Sequence, residues 1–290
     1  MLDRSLTAAV AVVLAAAALM MTGGGVQAAD DAKYPNWKGQ WRRYITPGLG
    51  GQGAFDQTKL WGLGQQAPLT PEYQKVLEQS MADQANGGLG NYPPAQCLPG
   101  GMPRMMTFGT QEYVVTPDTT YILLGGGNDH YRRIYTDGRD WPASIEPTYA
   151  GYTIGKWVEP DAEGRLSVLE AETRGPFKGP RAYDASGLPL HADNMSIFKE
   201  RFHLDKADPN LLHVETTVID HALTRPWSVD RRYTRNPDTL AQWPESYCVE
   251  GNMNVVIGKE NYTKSADGFL MPAKKNQAPP DLRYFKQPPK

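Results

Sequence analysis

Between Gln111 and Thr234, apolar and polar residues alternate with a period of two, the signature of strands with one buried face. Residues 112–116 and 120–124 flank Pro117-Asp118 and read as a hairpin. Residues 131–135, 152–158, 165–173, 194–204, 211–220 and 227–234 continue the series, and 253–257 is a further candidate. Thr136-Asp137-Gly138-Arg139 is a tight-turn signal, with Gly138 supplying a positive φ. Upstream the period changes. Thr70-Pro71-Glu72 is a capped helix start, and Tyr73, Val76, Leu77 and Met81 form one apolar stripe that should stop before Asn86-Gly87-Gly88. Eight or nine strands with short connections and a single long helix predict an all-β fold. The expected form is a mainly antiparallel β-barrel, closed or nearly closed.

The pattern divides the chain into a barrel over 111–260 and two segments that wrap it, 29–110 and 261–290. The first holds the aromatic anchors Trp37, Trp41, Tyr44, Phe55 and Trp61, but Gly48, Gly50, Gly51 and Gly53 disfavour regular structure there. It reads as irregular chain that covers the core or plugs the barrel end. The last segment is rich in proline towards its end and reads as extended over the surface.

Residues 1–28 have the three-part layout of a secretory signal peptide. Arg4 precedes a short apolar run over 7–21, then come Gly23-Gly24-Gly25 and the small-residue cleavage pattern at Val26-Gln27-Ala28. The run is shorter than the roughly 20 residues of a membrane span. The expected location is therefore the periplasm or outside the cell, with no stable membrane insertion after cleavage. The charge balance of −2 offers no field for nucleic acid. The frequent glycines (29) and prolines (24) suit many short elements joined by turns. In an oxidising compartment the two cysteines, Cys97 and Cys248, read most simply as one disulfide; a catalytic thiol and a two-cysteine metal site are weaker readings.

The hairpin around 205–210 can be read face by face, because side chains alternate along a strand. A register centred on its turn sets His203 opposite His213, Arg201 opposite Glu215, and Glu200 opposite Thr216. Phe198, Phe202, Leu212, Val214 and Val218 then face inward, and Glu200 and Asp220 go with them. A carboxylate on an apolar face must be paired or protonated. Either Glu200 pairs with an internal arginine (Arg132, Arg133 or Arg181) and stiffens the fold, or Glu200 or Asp220 serves as acid or base in a cavity. Arg201–Glu215 reads as a surface pair. His203 and His213 offer two metal ligands, with a third from His191 or His221 only if the fold brings them close; no metal site is expected. Arg132, Arg133 and Arg139 among Tyr131, Tyr135 and Trp141 either hold a carboxylate or phenolate against aromatic walls or cover the exterior of a turn. Gly151 and Gly155 read as room for a close strand approach. No nucleophile elbow, phosphate loop, dinucleotide fingerprint or haem motif is present, so no cofactor is expected.

RRIYTDGRDWP, PTYAGYTIGKW, Glu200-Arg201-Phe202 and the TRPW run at 224–227 together resemble a broad group of exported bacterial proteins, mostly of unassigned function. That group carries an R-I-x-x-D-G-R-x-x-P turn and a G-x-S-x-G-x-W strand; here Thr153 stands where the serine would be. The Gly-x-Trp strand is also similar to lipocalin-like barrels, which implies a cavity for a small lipophilic ligand. The expected function is binding of a small aromatic or lipophilic molecule in a barrel cavity, with cofactor-independent acid–base catalysis of a lyase, isomerase or hydrolase type. A non-catalytic carrier and a structural envelope protein are the alternatives. Glu200, Asp220, His130 and His191 are the candidate catalytic residues. Arg132, Tyr131, Trp141, Tyr152, Trp157, Phe198 and Phe202 are the candidate substrate contacts.

Overall fold

A computed structural model describes residues 33–44, 58–59, 61–86, 88–107, 109–127, 129–244, 248, 254–257, 260–264, 269–272 and 276–279. The signal-peptide reading of 1–28, Phe55 and the glycine-rich run over 48–53 lie outside the described residues. Nine strands close a barrel in chain order: β1 (Gln40–Arg43), β2 (Thr110–Val115), β3 (Thr119–Gly125), β4 (Tyr131–Tyr135), β5 (Tyr152–Pro160), β6 (Leu166–Arg174), β7 (Ile197–Leu204), β8 (Leu211–Ile219) and β9 (Trp227–Arg235). Closure comes from β9 pairing antiparallel with β1, which pairs in turn with β2. The neighbours are antiparallel except β4 and β5, which meet in parallel where Tyr135 faces Ile154. The all-β barrel with helical additions is as the alternation predicts.

Two assignments differ from the sequence reading. The barrel's remaining strand is β1, which lies inside the segment expected to be irregular. Four residues are too few to show a period, and what holds them is pairing with both β2 and β9. The last predicted strand instead belongs to a separate three-stranded sheet of β10 (Asn254–Ile257), β11 (Glu260–Lys264) and β12 (Leu270–Pro272). The stretch after 260 is thus partly paired strand rather than an extended tail.

Inside the barrel, alternation places one residue in two on the core face. Ile122, Ile134, Leu169, Phe198, Phe202, Leu212 and Tyr233 are wholly buried, and they join Trp37 and Trp41 in one continuous core. Gly155 is required by the close approach of β4: a Cβ there would stand 2.5 Å from Ile134 Cγ2 and 3.0 Å from the Glu170 carbonyl. Phe198, Phe202 and Trp157, expected as walls of a ligand chamber, are members of this packing. Trp157 packs in tilted contact with Trp37 at 4.9 Å and with Tyr34 at 5.2 Å. Small barrels of this kind are filled by their own side chains.

A short helix α1 (Trp61–Gly64) precedes the predicted helix, α2 (Pro71–Ala85). Thr70 Oγ1 caps α2 by accepting the Tyr73 amide, and Pro71 opens its first turn. The helix buries Leu77 and Ser80 against the 182–192 loop, where the Ser80 hydroxyl donates to the Ser186 carbonyl at 3.2 Å. Its N-terminus is stitched to the turn after β8: the Thr70 amide donates to Ala222, and the Thr224 amide donates to Pro68. Among the described residues, no helix is long and apolar enough to cross a membrane.

Cys97 and Cys248 form the disulfide, with Cα atoms 5.3 Å apart across 151 residues of sequence. Its loop is long, so the restriction of the unfolded chain is large. Replacing both cysteines with serine should cost roughly 2–4 kcal/mol in urea denaturation. An unchanged midpoint would show that the bond adds nothing to stability.

Candidate functional site

Glu200 faces inward as its face predicts and is buried, and the register sets it opposite Thr216. Arg132 from β4 reaches it with both terminal nitrogens: Nη1 donates to Oε1 at 3.0 Å, and Nη2 makes a closer contact with Oε2. Nη2 also donates to Thr173 Oγ1 at 2.7 Å, and the Thr173 and Thr153 hydroxyls are 2.9 Å apart. Both charged side chains are essentially inaccessible to water. This is the paired alternative of the sequence reading, with Arg132 as the partner rather than Arg133 or Arg181. Glu200, a candidate catalyst in the sequence reading, is held here as the counter-ion of Arg132, the candidate substrate contact, whose Nε alone is buried without a partner.

The turn after β4 is an exterior structure. Arg139 holds Asp137 through hydrogen bonds at 2.6–3.0 Å, lies 3.8 Å over the Tyr135 ring, and donates to the Tyr152 hydroxyl at 3.2 Å. Arg174 covers the Trp141 ring at 4.2 Å. Tyr131 is 53% exposed beside Arg133, and His130 is exposed next to Asp129, away from the carboxylates it was grouped with. Asp129 itself receives the Gly100 and Gly101 amides at 2.9 and 3.0 Å. Arg139 and Trp141 border a groove of about 690 Å³ on the outer face of β5–β8. Its charged walls are already paired, with Lys156 on Glu170 and Lys199 on Glu172.

The third cluster gathers Asp220 and His191 at the end of the barrel that carries α2. Asp220 is buried and has no imidazole on it; it is a clamp. Its Oδ1 accepts the His191 amide at 2.9 Å and the Ala222 amide at 2.8 Å, and its Oδ2 accepts the Ser196 hydroxyl. Ser196 Oγ is bound by Arg181 Nη2 at 2.9 Å, while Arg181 Nη1 reaches the Met102 carbonyl at 2.9 Å. The Arg181 guanidinium also covers Phe177 at 3.9 Å. Burial pulls Arg181 down to about 10 against the opposing pull of Asp220 and Asp193.

That clamp fixes two loops whose side chains meet. Asp193 receives His191 Nδ1 at 3.0 Å and His221 Nδ1 at 2.5 Å, and the two imidazoles stand edge-to-face at 5.4 Å. The Met195 amide donates to Asp193 Oδ1 at 3.0 Å, and Asn194, with φ of 57°, turns the loop behind it. Partial desolvation resists ionisation of Asp193. The bonds from His221, the Met195 amide and His191 prevail, and hold it at about 2. The bond to Asp193 in turn raises His221 above the usual imidazole range. Tyr73 of α2 packs 5.3 Å from His191, and its hydroxyl accepts the Ala192 amide at 3.1 Å. Beside this group opens a cleft of about 580 Å³ bordered by Tyr73, Pro93, Arg181, Leu190 and His191.

His203 and His213 do lie opposite one another, as do Arg201 and Glu215. The histidine rings stack at 4.9 Å, and each is held by carboxylates: His203 by Glu215, His213 by Asp230 and Asp205. Arg201 pairs with Glu159 rather than Glu215. His191 and His221 sit at the far end of the β7–β8 hairpin from that pair, so they join each other. Sequence reasoning missed Asp193 and Tyr73. The available signal was the H-x-D spacing of His191 and Asp193, together with a histidine directly after an inward aspartate at 220–221. In comparisons with family models, curated proteins and solved structures, the chain matches none.

Asp137 is held at about 2 chiefly by the Arg139 side chain. Because its pKa is depressed in the fold, the pair's stabilising effect is present above 3.8 and is lost as pH falls through about 2. Carboxyl NMR titration of Arg139→Ala should return Asp137 towards 3.8. A titration that stays near 2 in that variant would assign the shift to another group.

Proposed function

We propose that this is an extracytoplasmic protein that binds a small aromatic or lipophilic molecule in the cleft between α2 and the barrel end. The His191–Asp193–His221 cluster acts there on the bound molecule, in a hydrolysis, elimination or isomerisation that uses no organic redox cofactor. The observation that carries this reading is one side chain, His191, which borders a cleft and is also bonded to a carboxylate shared with a second histidine. Catalytic groups are recognised by such mutual geometry beside a concavity. Tyr73, Pro93 and Leu190 give the cleft apolar walls suited to an aromatic or lipophilic ligand. The disulfide supports an oxidising compartment, as does the leader layout of 1–28. The likeness to exported bacterial proteins agrees with that location.

The barrel in this reading is scaffold. Its packed interior and its neutralised ion pair leave the chemistry to the loops at its end, which the strands hold in register.

The test is a binding and turnover screen against small aromatic esters, phenolic acids and lactones. Loss of the Tyr73 ring should weaken binding of an active compound roughly threefold to tenfold. His191→Ala should abolish turnover, and Trp141→Ala on the outer groove should change neither. Binding that follows Trp141 instead of Tyr73 would move the site to the outer groove. Binding through Tyr73 with no turnover would make the protein a carrier, and a panel without a single binder would overturn the reading.

A further inference from the structure

We infer that His191, Asp193 and His221 form a site for one divalent transition-metal ion. Among the described residues these three bring one donor atom each to within 4.8 Å of one another. Bonds of about 2.0–2.2 Å from a single ion to imidazole nitrogen and carboxylate oxygen bring two donors up to roughly 4 Å apart, so an ion fits between them after a small separation of the present contacts. The donor set is two imidazoles and one carboxylate. That is the borderline-soft mixture suited to zinc, cobalt, nickel or ferrous iron and not to calcium or magnesium, which take oxygen donors. Three protein ligands leave positions open to water or a ligand, as in reactive rather than purely structural sites.

The surroundings hold these donors in place, and only weak backbone contacts compete for their ligating atoms: the Asp193 amide at 3.2 Å from His191 Nδ1 and the Met195 amide at 3.0 Å from Asp193 Oδ1. Asp220 binds the backbone of His191 and directly precedes His221, so one buried carboxylate sets both loops. The Met195 amide orients Asp193 from behind. Arg181 is the nearest buried cation, and its nitrogens are spent on Met102, Ser196 and Asn194. With both imidazoles neutral, the three ligands carry one negative charge and favour a dication. The stacked His203–His213 pair has carboxylates too, yet no three of its groups converge in this way, so it serves as an internal control.

The inference deepens the reading of the cleft as the reactive site and can be tested without any substrate. Full-length protein stripped with a chelator is titrated with Co²⁺ and Zn²⁺, using calorimetry and the visible spectrum of bound Co²⁺. The expected result is one equivalent bound, with a cobalt spectrum typical of low coordination number. His191→Ala, Asp193→Ala and His221→Ala should each weaken binding by more than the roughly 10–100-fold that loss of an outer partner costs, and Asp220→Asn should fall within that range. His213→Ala should bind as the wild type does. Circular dichroism and urea midpoints show which variants remain folded, and Asp193→Glu, which keeps a carboxylate, should retain part of the affinity. No binding by the wild type, or binding lost in His213→Ala and kept in His191→Ala, overturns the site. Metal binding that survives Tyr73→Ala while the small-molecule screen finds no binder would sink the cleft reading alone. A small molecule bound through Tyr73 with no metal would sink only the metal site.

Discussion

Arg132 and Glu200 carry opposite charges on side chains that are both out of reach of water, and the interior of the barrel is arranged around their contact. Each charge alone would cost several kcal/mol to bury, so neither residue is tolerable without the other. The pair spans from β4 to β7 across the inner wall, with Thr153 and Thr173 of the intervening strands supplying hydroxyls beneath it. Phe198 and Phe202 flank Glu200 along β7, and the rings of Trp37, Tyr34 and Trp157 pack together beside them. The proposed chemistry accordingly sits at the rim, outside this packed core.

At the rim a second buried carboxylate does different work. Asp220 accepts two backbone amides and a hydroxyl, which is as much as a carboxylate needs when no cation touches it directly. Its effect is to fix where His191 and His221 stand relative to each other. The two inward acids of one hairpin thus divide their roles: Glu200 neutralises a charge within the core, and Asp220 positions loops at its edge. Helix α2 completes the rim by placing Tyr73 against His191 and by bonding its N-terminal segment to the 222–224 turn.

Much of this was legible in the residues. The turn at 205–210 fixed the β7–β8 register, and with it the inward direction of Glu200, because a slip of one residue would expose Phe198 and Phe202. The helix was legible from Thr70-Pro71 and its apolar stripe. What was not legible depends on partners far apart in sequence. Strand β1 is too short to show a period and exists because β2 and β9 flank it. The choice of Arg132 over Arg133 follows from which face of β4 turns inward, and Arg181 is bonded instead to Met102, Ser196 and Asn194. The meeting of His191, Asp193 and His221 requires the barrel to bring the start of β7 beside the end of β8, and the loop residue Asp193 belongs to no periodic pattern. Trp157, Phe198 and Phe202 looked like ligand walls because an aromatic core and an aromatic pocket have the same composition.

The central claim is that the inward acid of β7 is a structural counter-ion and not a reactive group. A double-mutant cycle on Arg132 and Glu200, read by urea denaturation, tests it most directly. Each single alanine variant should lose about 3–5 kcal/mol, and the double variant should lose much less than the sum, because the second substitution removes a charge already stranded by the first. Additive losses, or a Glu200→Ala protein as stable as the wild type, would contradict the account and return Glu200 to the list of candidate catalysts.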